Sequence, residues 1–136
     1  MKMGRTGTGY ILLIILLLLL LVMLCYSCRE LTRDPVREFI PGIYIRFSQH
    51  EFGHEYDTLV ITPQNKSAGE YAILRKWKYE RVLDGIWLEP EYKRTKTTGL
   101  YNTQHKLLRE TESGSIYNFD VTEKILFNGP VKYQKL

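Results

Sequence analysis

Two regimes of hydrophobic pattern divide the chain. Residues 11–24 form an unbroken run of fourteen aliphatic residues and methionine, which predicts an apolar helix. From Pro41 onward the apolar positions recur with a period of two, the signature of strands with distinguishable faces. Ile43, Ile45 and Phe47 alternate with Tyr44 and Arg46 and predict a first strand. Residues 49–55 are polar, contain Gly53 and read as a loop. Residues 57–62, ended by Pro63, predict a second strand, and 64–69 carry turn chemistry in Asn65, Lys66, Ser67 and Gly69.

The longest strand is predicted over 70–83. It places Tyr71, Ile73, Arg75, Trp77, Tyr79 and Arg81 on one face and Ala72, Leu74, Lys76, Lys78, Glu80 and Val82 on the other. Asp84-Gly85 follows, a strong short hairpin signal. The chain returns over 86–92, where Pro90 confines the segment to an edge or bulge, and the threonine-rich stretch 93–101 predicts another strand. Two further hairpins are expected about Ser113-Gly114 and Asn128-Gly129. This gives eight or nine short, regularly punctuated strands and no amphipathic helix of useful length. The expected fold is therefore all-β: a small antiparallel meander barrel, lipocalin-like, or a sandwich of about eight strands, preceded by an N-terminal apolar helix. A barrel removes unpaired edges. At eight strands its interior is filled by side chains or holds one small ligand.

The leader determines where such a domain acts. Lys2 and Arg5 precede the apolar run, and no acidic residue occurs before Glu30, the layout of an export signal. Fourteen helical residues span about 21 Å, short of the roughly 30 Å of a bilayer core. Including Tyr10 and the stretch through Ser27 brings the segment to a borderline span. Residues 1–28 are thus a cleaved signal peptide or an uncleaved signal-anchor. Cys28 follows the small Ser27 and precedes polar Arg29 and Glu30, the placement of a lipidated cysteine, although Cys25 and Tyr26 depart from the usual small or aliphatic pattern. Acyl chains at Cys28 would tie the protein to a membrane. The pair Cys25 and Cys28 also has redox spacing, but its first cysteine lies in the apolar run.

Charge and composition narrow the function. Lys2 and Arg5 are two of nineteen basic residues, so seventeen remain after Cys28 against all fifteen acidic ones. That balance is not a nucleic-acid footprint. The exported part has no cysteine, and its length supports one modest core. Residues 29–40, charged and interrupted by Pro35, read as a tether or, alternatively, a short helix packed on the domain. The domain itself is expected over 41–136.

His50-Glu51-Phe52-Gly53-His54 matches H-E-x-x-H, in which two histidines one helical turn apart bind zinc and the glutamate activates water. Here it falls between two strands with Gly53 inside it, so a solvated loop is the plainer reading, and no metal or cofactor is expected. Glu89 with Glu91 and Glu110 with Glu112 are carboxylates at strand spacing, but no cleft accompanies them. Arg75, Trp77, Tyr79 and Arg81 alternate basic with aromatic on one face. They can grip an anionic or glycan ligand or a partner. Alternatively the aromatics enter the core and the arginines satisfy interior carboxylates such as Glu110 or Glu112.

Pro41-Gly42-Ile43-Tyr44, Asp57-Thr58-Leu59-Val60-Ile61, Asp84-Gly85, Pro90-Glu91-Tyr92, Glu110-Thr111 and the closing stretch 129–135 resemble short lipoproteins of Bacteroidota, often encoded among the transfer genes of conjugative transposons. The resemblance implies a bacterial cell-envelope protein, an accessory to conjugation, and transfers no catalytic or ligand residue. The expected function is a non-enzymatic, membrane-anchored envelope lipoprotein whose β-domain contacts an envelope protein. The alternatives are a lipocalin-like carrier of a small ligand and, remotely, a zinc peptidase through His50, Glu51 and His54.

Overall fold

The computed structural model describes residues 6–31 and 33–136, with side chains described over 9–27 and 33–136. The chain divides into two units between Asp34 and Pro35. In the first, helix α1 (Thr6–Leu31) contains the apolar stretch Gly9–Ser27, nineteen residues none of which is buried. At 1.5 Å per residue this stretch is about 28 Å long, close to a bilayer core. Leucine is a strong helix former, and no proline interrupts the run before Pro35. The Ser27 hydroxyl donates to the Met23 carbonyl, 3.1 Å away, so it needs no outside partner. By length and composition the helix can cross a membrane, and a signal segment near the N-terminus has the same character.

The second unit is a closed antiparallel barrel. Its strands are β1 (Gly42–His50), β2 (Gly53–Asn65), β3 (Glu70–Leu83), β4 (Ile86–Trp87), β5 (Glu91–Asn102), β6 (Leu107–Glu110), β7 (Ile116–Asp120), β8 (Ile125–Asn128) and β9 (Val131–Lys135). Eight of them close in the order β1-β2-β3-β5-β6-β7-β8-β9 and back to β1, while β4 only extends the end of β3. The hairpin turns follow the sequence. Asp84 and Gly85 both have positive φ, 51° and 77°, the two left-handed residues that a tight hairpin turn matching strand twist requires.

The interior is filled. Tyr44, Leu59, Ile61, Tyr71, Ile73, Tyr101, Leu108, Tyr117, Leu126 and Tyr133 form one buried cluster, as the narrow bore of an eight-stranded barrel allows. Tyrosine in such a core needs a polar partner. Tyr44 donates to the Phe39 and Ile40 carbonyls (2.9 Å each), Tyr117 to Glu110 Oε2 (3.0 Å) and Tyr133 to Asp57 Oδ2 (2.8 Å). Burial pushes all three hydroxyls above the usual tyrosine range, and the carboxylate neighbours of Tyr117 and Tyr133 push the same way. On β1 the inward face is Tyr44 and Arg46, so Ile43, Ile45 and Phe47 point outward and are exposed.

The tether expected over 29–40 ends earlier than its composition suggests. Pro35–Phe39 is a short helix, α2, opened by proline at a position where the missing N–H costs nothing. Val36, Phe39 and Ile40, spaced as one helical face, pack on the core, and Ile40 is fully buried. The plug is fastened through its last carbonyls. Lys135 Nζ joins Tyr44 in donating to Phe39, and lies 4.1 Å from the Phe39 ring centroid. Burial, followed by the nearby Lys124 charge, lowers the pKa of Lys135.

Strand length then shapes the molecule. β2, β3 and β5 run for 12–14 residues, whereas β6 to β9 have four or five. β5 pairs with β6 only over Gly99 to Asn102, and β1 with β9 only at Tyr44 and Ile45. Beyond those points β1, β2, β3 and β5 continue together as a four-stranded arm whose concave face prolongs the barrel interior.

Candidate partner-binding surface

Register places Arg75, Trp77, Tyr79 and Arg81 on the concave face of the arm. Their cross-strand partners on β2 are Leu59, Asp57, Glu55 and Gly53, and residues directly opposite share a face. The stripe is therefore real, and its members differ in what holds them. Arg75 Nε donates to both Asp57 oxygens at 3.0 Å, and Nη2 reaches Oδ2 at 2.5 Å. Asp57 is 1% exposed and also accepts from Tyr133. The hydrogen bond to Asp57, opposed by burial, raises the Arg75 pKa further. The interior carboxylate that satisfies an arginine is thus Asp57, not Glu110 or Glu112. Glu110 is engaged by Tyr117.

Trp77 and Tyr79 do not enter the core. Both are half-buried. Trp77 donates its indole N–H to Glu55 Oε1 at 2.8 Å, and Arg46 Nη1 holds the same oxygen at 3.3 Å. The Trp77 and Tyr79 rings lie 5.7 Å apart and 22° from parallel, and the row continues to His50 at 5.9 Å and 28°. Trp77 stands between two open hollows. One, about 380 Å³, is lined by Arg75, Trp77, Lys93 and Thr95. The other, about 580 Å³, includes Phe52, Tyr79, Arg81 and Glu91. Ring faces and cations converging on open space suit a side chain or sugar carrying negative charge.

The loop expected over 49–55 is largely strand. β1 runs to His50 and β2 resumes at Gly53, leaving only Glu51 and Phe52 as the turn. Gly53 was a loop signal in the sequence for a different reason. It sits at φ 149°, and a Cβ there would lie 2.0 Å from the Glu80 carbonyl oxygen, so the crowded crossing of β3 admits only glycine. The consequence for His50-Glu51-Phe52-Gly53-His54 is direct. His50 pairs with Gly53 and His54 with Gln49, which puts the two imidazoles on opposite faces of the sheet. His50 accepts from the Phe52 N–H and stacks near Tyr79, while His54 packs 4.9 Å from Trp87. The shared helical face required for zinc is not formed. Among the described residues no group of three or more His, Cys, Asp or Glu side chains converges as a metal site.

Two surfaces escaped the sequence. On the convex face Tyr56, Phe47, His54 and Trp87 form a second ring row, with centroids 5.0, 5.6 and 4.9 Å apart. Beside it, Lys78 pairs with Glu80, and chiefly through that bond holds its carboxyl below the usual range. The other is the unpaired edge of β5. The alternation around Phe47 and Tyr56 marked strands but not which face looks outward. Cys28 lies within α1, and its side chain falls outside the described residues; the Cys25 thiol is exposed. No protein-family model, no curated protein and no solved structure matches this chain.

Proposed function

We propose that this protein is a non-catalytic lipoprotein of the bacterial envelope, tethered by its N-terminal segment, acylated at Cys28, and serving as an accessory docking module in a transfer apparatus. Arg75, Trp77, Tyr79 and Arg81 carry the docking, on the concave face of the arm. One observation carries this reading: the barrel bore is packed with hydrogen-bonded tyrosines, while the arm presents a half-exposed ring row beside open hollows. A carrier needs its empty volume inside. A docking module needs it on the surface, next to aromatic and arginine anchors.

The test uses the full chain in its own membranes, with a photo-crosslinking residue replacing Phe52, exposed at the hollow shared with Tyr79 and Arg81. A discrete protein adduct is expected, lost on Trp77→Ala while the thermal transition stays in place. No adduct, together with a small molecule retained in native mass spectra, supports the carrier instead. Acylation is read separately, from intact mass: a chain starting at Cys28 with acyl groups supports the tether proposed here, and an unprocessed chain supports a helical anchor.

A further inference from the structure

We propose that the open edge of β5 receives an extended acidic peptide as an added strand. The inference rests on the docking reading above and names the partner's chemistry. β5 is paired with β3 from Glu91 to Leu100, but its other edge is paired with β6 only from Gly99, with the Thr98 carbonyl held by Thr111. Antiparallel pairing alternates the direction of backbone groups. Since Thr98 faces the β6 side, so do Tyr92, Arg94 and Lys96. Their N–H and C=O groups have no backbone partner among the described residues. That is a ready template for strand addition.

The side chains decide what kind of strand fits. Lys93, Arg94 and Lys96 crowd this edge, all exposed. A second copy of the chain, pairing edge to edge, would set these cations against one another. An acidic segment meets them favourably, with carboxylates opposite Arg94 and Lys96 on the convex side. The alternate residue of the added strand turns inward beside Thr95. There the hollow lined by Arg75, Trp77, Lys93 and Thr95 awaits it. The Arg75 bonds to Asp57 use Nε and Nη2, and the same side chain lines the hollow. Backbone pairing, charge and a side-chain hollow thus coincide on one edge.

The probe is a capped peptide alternating glutamate and valine, with a lysine–valine peptide as control, added to the full chain in detergent micelles. Amide hydrogen exchange is expected to slow at Tyr92, Arg94 and Lys96, with affinity about tenfold above that of the control peptide and falling with salt. Arg94→Pro removes an N–H that faces the open edge and no β3–β5 bond, so it abolishes binding while the barrel stays folded. Reversal of Lys93, Arg94 and Lys96 to glutamate switches preference to the lysine peptide, and carries the test if Arg94→Pro fails to fold. Absence of binding, protection elsewhere on the barrel, or equal affinity for both peptides overturns the proposal. The cations would then serve only to keep edges apart. Crosslinking through position 52 that persists alongside such a failure leaves the docking reading standing with a different partner chemistry.

Discussion

The closed end of the barrel and the arm are built from the same long strands, and they differ in what lies beside them. Below Arg75 every strand has two neighbours, and the inward residues Ile73, Leu59 and Tyr44 are sealed from water. Above it β1 and β5 each lose a neighbour, and the inward residues change with them to Trp77, Tyr79, Glu55 and Arg46. The inside/outside alternation never breaks along β3. Its meaning changes, from core against solvent to one wet face against another. Asp57 and Arg75 mark the seam. The carboxylate is wholly buried, whereas its arginine partner is 45% exposed. Side chains of the candidate surface are thus held on the sheet without being part of what keeps it closed.

The two regions should respond differently to perturbation. The largest effect belongs to alkali. The folded Tyr44, Tyr117 and Tyr133 keep protons that the unfolded chain gives up near pH 10, so stability is intact below that point and falls as pH rises beyond it. The loss approaches about 1.4 kcal/mol per tyrosine per pH unit once the unfolded phenols are ionised; between pH 10 and 11, where they are still ionising, it is about 1 kcal/mol per tyrosine, about 3 kcal/mol for the three together. Urea titrations followed by circular dichroism read it, and Tyr44→Phe should remove about one third of the slope. Leu108→Ala empties fully buried volume at the closed end and should cost about 3 kcal/mol. An unchanged urea midpoint would contradict the packing described. Asp57→Ala, at the seam, should cost about 2 kcal/mol, below the value for a wholly buried pair because water can rehydrate Arg75. The same titration measures it. Trp77→Ala, on the arm, should cost under about 1 kcal/mol and yet remove the crosslinked adduct. A loss as large as that of Leu108→Ala would make the ring row part of the core after all.

Much of this was written in local chemistry. Asp84-Gly85, Ser113-Gly114 and Asn128-Gly129 announce hairpins because their backbone needs are local, and β3 was legible residue for residue. Legibility failed where a residue answered to a distant neighbour. Gly53 looks like loop punctuation until the Glu80 carbonyl is seen against it. Pro35 looks like the break in a tether until Val36, Phe39 and Ile40 meet the barrel floor. Asp57 looks like the start of a strand, and its partnership with Arg75 spans eighteen residues. The candidate stripe was found because alternation is a local property. The open edge was not, because it depends on the brevity of β6, a strand remote in the chain.

The placement of indoles gives this architecture a built-in optical division. The chain has two tryptophans, Trp77 on the concave face and Trp87 on the convex, and neither lies in the sealed core. Emission excited at the indole band therefore watches the arm alone. The phenols give no such division, since five of the ten line the bore while Tyr56, Tyr79 and Tyr92 belong to the arm. Indole emission can thus follow occupancy of the upper sheet without any label, while circular dichroism of the same sample follows melting of the whole domain.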